Sequence, residues 1–126
     1  MKNGDITVLV IEDDEQLQFA YKAGFEAFGL NVLQAFNAKQ TMEILKVSKP
    51  NVILMDVLMP EINGKELLAK LKKMPKVKSI PVLITSNSVK EEDIKETKAL
   101  GADEYIVKSN ISIEDLINKV KKFASK

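Results

Sequence analysis

The chain has 126 residues, 45% hydrophobic and 29% charged, the profile of one ordinary soluble domain long enough to bury a core. It contains no cysteine and no histidine, which excludes disulfides, thiol catalysis and cysteine-ligated metals and removes the commonest general base. Its 19 basic residues, all lysine, nearly balance 18 acidic ones, so there is no global drive toward nucleic acid or anionic membrane and no arginine fork for phosphate.

The N-terminal stretch reaches only a short apolar run before the acids Glu12, Asp13 and Asp14. No apolar segment approaches the length of a membrane span, and the expected location is the cytoplasm. That first run, Val8 to Ile11, reads as a strand. A helical stripe of Leu17, Tyr21, Gly24, Phe25 and Phe28 follows, then a short strand at Val32-Leu33 and a helix with Ala38, Met42 and Leu45 on one face. Val52 to Met55 is the third strand, followed by a helix carrying Leu67, Leu68, Leu71 and Met74. Val82 to Ile84 is the fourth. The helix after it has only Val89, Ile94, Ala99 and Leu100 as an apolar stripe among many charges, and is expected to be the least firmly anchored. Tyr105 to Val107 and a last helix with Ile113, Leu116, Ile117, Val120 and Phe123 complete the series.

Helix starts are marked by Asn37, Asn63, Ser88 and Ser112, each followed three residues later by Gln40, Glu66, Glu91 or Asp115. Asp14 suits a cap for the first helix. Pro60, Pro75 and Pro81 punctuate loops, and the lysines Lys70, Lys72 and Lys73, like Lys119, Lys121 and Lys122, sit near helix ends where they complement the dipole. Strands alternating with helices, each strand nearly continuous in apolar residues, imply an α/β domain with a parallel sheet covered on both faces. Right-handed crossovers then bring every strand's carboxyl end to one edge, where ligands bind in such folds.

Four of the five ends carry reactive side chains: Glu12-Asp13-Asp14, then Asp56, then Thr85-Ser86, then Lys108-Ser109. Only the second, at Phe36-Asn37, does not. Carboxylates held together resist ionising unless a hard cation relieves them, and Mg²⁺ does so through oxygen ligands. Asp13 and Asp56 are therefore candidate metal ligands, with Glu12 acting directly or through water. A carboxylate can also act as a nucleophile toward phosphorus, and phosphoryl transfer asks mainly for positioning and charge neutralisation, for which Lys108 and a Thr85 hydroxyl are suited.

Glu12-Asp13 after the first strand, Asp56 in "MDVLMPEING", Thr85-Ser86, Tyr105 and Lys108, in this order across nearly the whole chain, resemble the receiver domain of two-component response regulators, of the stand-alone chemotaxis or relay type. The resemblance implies a single receiver domain over residues 1–126 with a flavodoxin-like (βα)5 three-layer sandwich and strand order 2-1-3-4-5. It implies that Asp56 takes a phosphoryl group from a histidine kinase or histidine phosphotransfer protein, with Mg²⁺ held by Glu12, Asp13, Asp56 and the backbone carbonyl of Leu58. Thr85 and Tyr105 would be the switch pair, passing the change to a downstream protein target or effector domain, without enzymatic turnover of another substrate, nucleic-acid binding or membrane contact.

One departure is that Ser109 follows Lys108 where the family usually has proline, commonly after a cis peptide. A cis bond before a non-proline residue costs roughly 3 kcal/mol, so this loop is expected to be strained or differently routed. That motivates the rival reading of a receiver-like interaction scaffold that does not switch by phosphorylation. A phosphohydrolase of the haloacid dehalogenase type is disfavoured because Leu58 stands where it would need a second acid. A flavin or nucleotide binder is disfavoured because an acidic loop, not a glycine-rich one, follows the first strand.

Overall fold

The computed structural model describes residues 2–59 and 63–125. Pro60, expected as a loop residue within "MPEING", lies outside them.

Five strands, β1 (Thr7–Ile11), β2 (Asn31–Ala35), β3 (Val52–Asp56), β4 (Val82–Ser86) and β5 (Glu104–Val107), alternate with five helices. The helices are α1 (Glu15–Ala27), α2 (Ala38–Val47), α3 (Gly64–Lys73), α4 (Glu91–Ala99) and α5 (Ile113–Ala124). All strand pairings are parallel, in the order β2-β1-β3-β4-β5. The sheet is therefore the doubly wound one expected, with its order reversing between β1 and β3.

The alternation of side chains along each strand divides the core in two. Leu9, Ile11, Ile53, Met55, Val82 and Ile84 face α2 and α3, meeting Leu45, Leu67, Leu68 and Leu71. Val8, Val10, Val52, Leu54, Leu83 and Ile106 face α1 and α5, meeting Tyr21, Phe25, Leu116, Ile117 and Val120. β3 is buried along its whole length, as a central parallel strand should be.

Side-chain caps form where expected at three helices: Asn37 accepts from Gln40 N, Asn63 from Lys65 N and Glu66 N, and Ser112 from Asp115 N. Asp14 caps α1 through Gln16 N and Leu17 N. Ser88 does not cap α4. The helix begins at Glu91 after Lys90, whose side chain makes no cap bond. The Ser88 hydroxyl is engaged elsewhere, accepting from Lys90 N at 3.2 Å and donating to Asp93 at 2.6 Å, which places its turn before the helix. As the sparse apolar stripe suggested, α4 buries Asp93 and Thr97 rather than large apolar side chains. No helix among the described residues is long and apolar enough to cross a membrane.

Candidate functional site

Asp56 and Thr85 are themselves the last paired rungs of β3 and β4, opposite one another in register. Strand parity then fixes their direction. Asp56 lies two residues beyond Leu54, Thr85 two beyond Leu83, Glu12 two beyond Val10 and Lys108 two beyond Ile106. Each of those apolar residues belongs to the α1/α5 face of the core, so the four functional side chains emerge on that same side.

The geometry bears this out at Lys108, whose ammonium donates to Glu12 Oε1 at 2.6 Å and Asp56 Oδ2 at 2.9 Å. The other Asp56 oxygen accepts from the Leu58 amide at 2.9 Å, and Glu12 Oε2 accepts from the Asp14 amide. Glu12, Asp56 and Thr85 are buried and Asp13 is exposed. Burial pushes the Glu12 carboxyl up from the usual range, against the opposing pull of the Lys108 hydrogen bond. Burial also works against the Lys108 charge, but the hydrogen bonds and charges of Glu12 and Asp56 outweigh it and leave its pKa raised.

Every peptide bond among the described residues is trans. Lys108 opens a short 3-10 turn, Lys108–Asn110, and from it reaches both carboxylates with no cis peptide.

Glu12, Asp13 and Asp56 each present a carboxylate oxygen within 4.8 Å of the others. Hard oxygen donors at this spacing, with one residue exposed and two buried, fit a hard divalent cation that keeps part of its water shell. A purely structural cluster of three acids would gain nothing from such proximity.

Several supporting residues were not legible as functional. Gln18, buried on α1, sets its amide nitrogen against the carbonyl oxygens of Val10, Glu12 and Ala35 at 2.9 to 3.1 Å, tying the helix to the ends of β1 and β2. Its signal was a polar residue on an apolar stripe. Lys65 at the start of α3 bonds Asp93 at 2.8 Å and Glu96 at 2.7 Å on α4, Asp93 receives the Ser88 hydroxyl, and the Tyr105 hydroxyl donates to the Ser88 carbonyl at 2.9 Å. Tyr105, expected as a switch residue, is thus joined to the loop after Thr85 but lies on the opposite face of the sheet from Asp56.

Residues 8–121 match the family model for the response regulator receiver domain. The chain belongs to that family. As a receiver domain it is a phosphoacceptor signalling switch rather than a true enzyme, and its family implies a histidine kinase as partner. It is 32% identical over 101 residues to protein PilH of Pseudomonas aeruginosa, covering 80% of this chain and 84% of that one. It is also 32% identical over 116 residues to the transcriptional regulatory protein CrdR of Helicobacter pylori, covering 92% of this chain but 54% of that protein, so it spans about half of that longer relative. The Francisella response regulator 1452 receiver domain superposes with a TM-score of 0.86 at 30% identity, over 96% of this chain and 98% of that one.

Proposed function

We propose that residues 1–126 act as one receiver, that Asp56 is the phosphoryl acceptor and that Lys108, Thr85, Glu12 and Asp13 serve it. The observation that carries this reading is the Lys108 ammonium set between Glu12 and Asp56, at the carboxyl edge of a doubly wound sheet. An Asp56 oxygen forms a bond to phosphorus as the bond from phosphorus to the donor nitrogen breaks, and the imidazole departs with the donor protein. Lys108 balances the charge gained, and the Thr85 hydroxyl donates to a phosphoryl oxygen. Glu12, Asp13, Asp56 and the Leu58 carbonyl would hold Mg²⁺, which when bound supplies charge neutralisation for the carboxylates and the phosphoryl oxygens.

The donor is a histidine kinase or a histidine phosphotransfer protein, docking beside α1 and the Asp56 rim, where Phe19 is 76% exposed. Phosphorylation, which adds roughly two negative charges, biases the loop after Thr85, α4 and Tyr105, so that the face formed by α4, β5 and α5 presents a changed surface to a downstream protein. A cytoplasmic setting goes with such a donor. The reach of Lys108 to both carboxylates favours this switch over the non-switching scaffold.

The test is intact-mass analysis after incubation with acetyl phosphate, with and without Mg²⁺, on wild type and Asp56→Asn. A phosphoryl increment that requires both Mg²⁺ and Asp56 is the expected result. Full uptake by Asp56→Asn would overturn the assignment.

A further inference from the structure

Side chains alternate across a strand, so Glu12 and Asp13, adjacent in sequence, would emerge on opposite faces of the sheet if β1 ran straight on. Their carboxylates nevertheless lie within 4.8 Å of each other and of Asp56, and the chain bends at Asp13. The peptide that joins the two acids is therefore held out of strand geometry. The β1–β2 pairing stops at Ile11 and Ala35; Glu12 N still donates to the Ala35 carbonyl at 3.1 Å, but the Glu12 carbonyl lies past the last rung. It accepts instead from Gln18 Nε2 at 3.0 Å. Gln18 is only 1% exposed, and the same nitrogen also faces the carbonyls of Val10 at 3.1 Å and Ala35 at 2.9 Å. Its amide oxygen accepts from Gln34 Nε2 at 3.1 Å, which orients the nitrogen toward the strand ends. Asp14, the cap of the same helix, closes the other side, its amide donating to Glu12 Oε2 at 3.1 Å.

We propose that Gln18 is a positioning residue for the acidic pair: by holding the carbonyl of the Glu12–Asp13 peptide it keeps both carboxylates turned toward one cation, and so sets the affinity of the site for Mg²⁺ rather than the chemistry at Asp56. This rests on the reading of Glu12, Asp13 and Asp56 as the Mg²⁺ site. Among the described residues the Gln18 side chain bonds only backbone carbonyls and Gln34, and no carboxylate, so its effect passes through the backbone. A buried donor that sets the direction of ligands it does not touch is the ordinary outer support of a metal site.

The experiment compares wild type with Gln18→Met, which keeps a similar length and helix propensity and has no donor. The Kd for Mg²⁺ is measured by calorimetric titration of the unphosphorylated proteins, at a temperature where circular dichroism shows both folded. Loss of such an outer contact is expected to raise Kd about tenfold. Phosphoryl uptake from acetyl phosphate should then need correspondingly more Mg²⁺ for half its maximal rate, while the rate at saturating Mg²⁺ stays that of wild type. An unchanged Kd would overturn the proposal. So would a lowered plateau with the Mg²⁺ requirement unmoved, which is what a purely structural tie between helix and sheet predicts. Should Gln18→Met not fold, Gln34→Leu takes its place: it removes the donor that orients the Gln18 amide and should raise Kd in the same direction, and an unmoved Kd there counts against the proposal. Failure of the underlying reading looks different, because wild type itself would then bind no Mg²⁺ or bind it as tightly after Asp13→Ala.

Discussion

Gly64 stands at the first position of α3, and a Cβ there would fall on the backbone of Val57, the residue after Asp56. Its helical conformation needs no glycine; the close approach does. Gly64→Ala gains roughly 0.8 kcal/mol in helix propensity but forces apart backbone that cannot yield, at a cost of about 1 to 3 kcal/mol. The variant is expected to be destabilised in denaturant unfolding and to take up phosphate from acetyl phosphate more slowly, because the displaced segment carries Asp56, the proposed acceptor. Normal stability would show that α3 can shift freely. In the sequence, Asn63-Gly64 read only as a turn and helix start, since a contact between two backbones leaves no mark in periodicity. Asp56 and Lys108 were legible for the opposite reason: each charged residue ends an apolar run, and parallel strands bring such ends together whatever the packing details.

At the scale of elements, α4 is the helix held by polar contacts. Asp93 and Thr97 are its buried residues, and Lys65 clamps it to α3 through Asp93 and Glu96. The hydrogen bond from Lys65, and after it that from Ser88, holds the Asp93 carboxyl below its usual range. A lowered folded-state pKa means that the clamp's contribution is present above the ordinary aspartate pKa of about 3.9 and is lost as the pH falls through the lower folded value. Lys65→Met should therefore speed amide hydrogen exchange in α4 at neutral pH, and the difference from wild type should disappear once the pH has fallen below the lowered Asp93 value. A difference that persisted there would mean that the lysine stem, not its charge, secures the helix. The weak apolar stripe made this reliance on polar contacts visible in the sequence. The cap expected at Ser88 was misplaced because spacing to Glu91 says nothing of Asp93, which claims the hydroxyl from two residues further along.

For the molecule as a whole, the three clustered carboxylates set folding against mutual repulsion at the sheet edge. A cation bound only by the folded chain stabilises it by mass action, about 2.7 kcal/mol at a hundredfold excess over Kd. The melting temperature of wild type should rise with Mg²⁺ concentration, and that of Asp13→Ala, which removes the exposed carboxylate of the cluster, should rise much less. Equal responses would place the ion elsewhere. The five-stranded order was accessible from strand and helix alternation together with the family resemblance, and the two-sided core from strand parity. The bond from Tyr105 to Ser88 depends on how far the loops sit from the sheet, which no local pattern encodes.

The two faces of β4 have unlike duties. Thr85 points toward the acidic site, while Ser86 points the other way and its hydroxyl accepts from Ser88 N at 3.0 Å, within reach of Tyr105 and the α4 clamp. The sheet thus separates the acidic cluster from the contacts of Ser88, Tyr105 and Asp93, and β4 presents a side chain to each. Odd and even positions of one strand are its two terminals. Deleting a single residue ahead of Thr85 would exchange the sides on which Thr85 and Ser86 emerge.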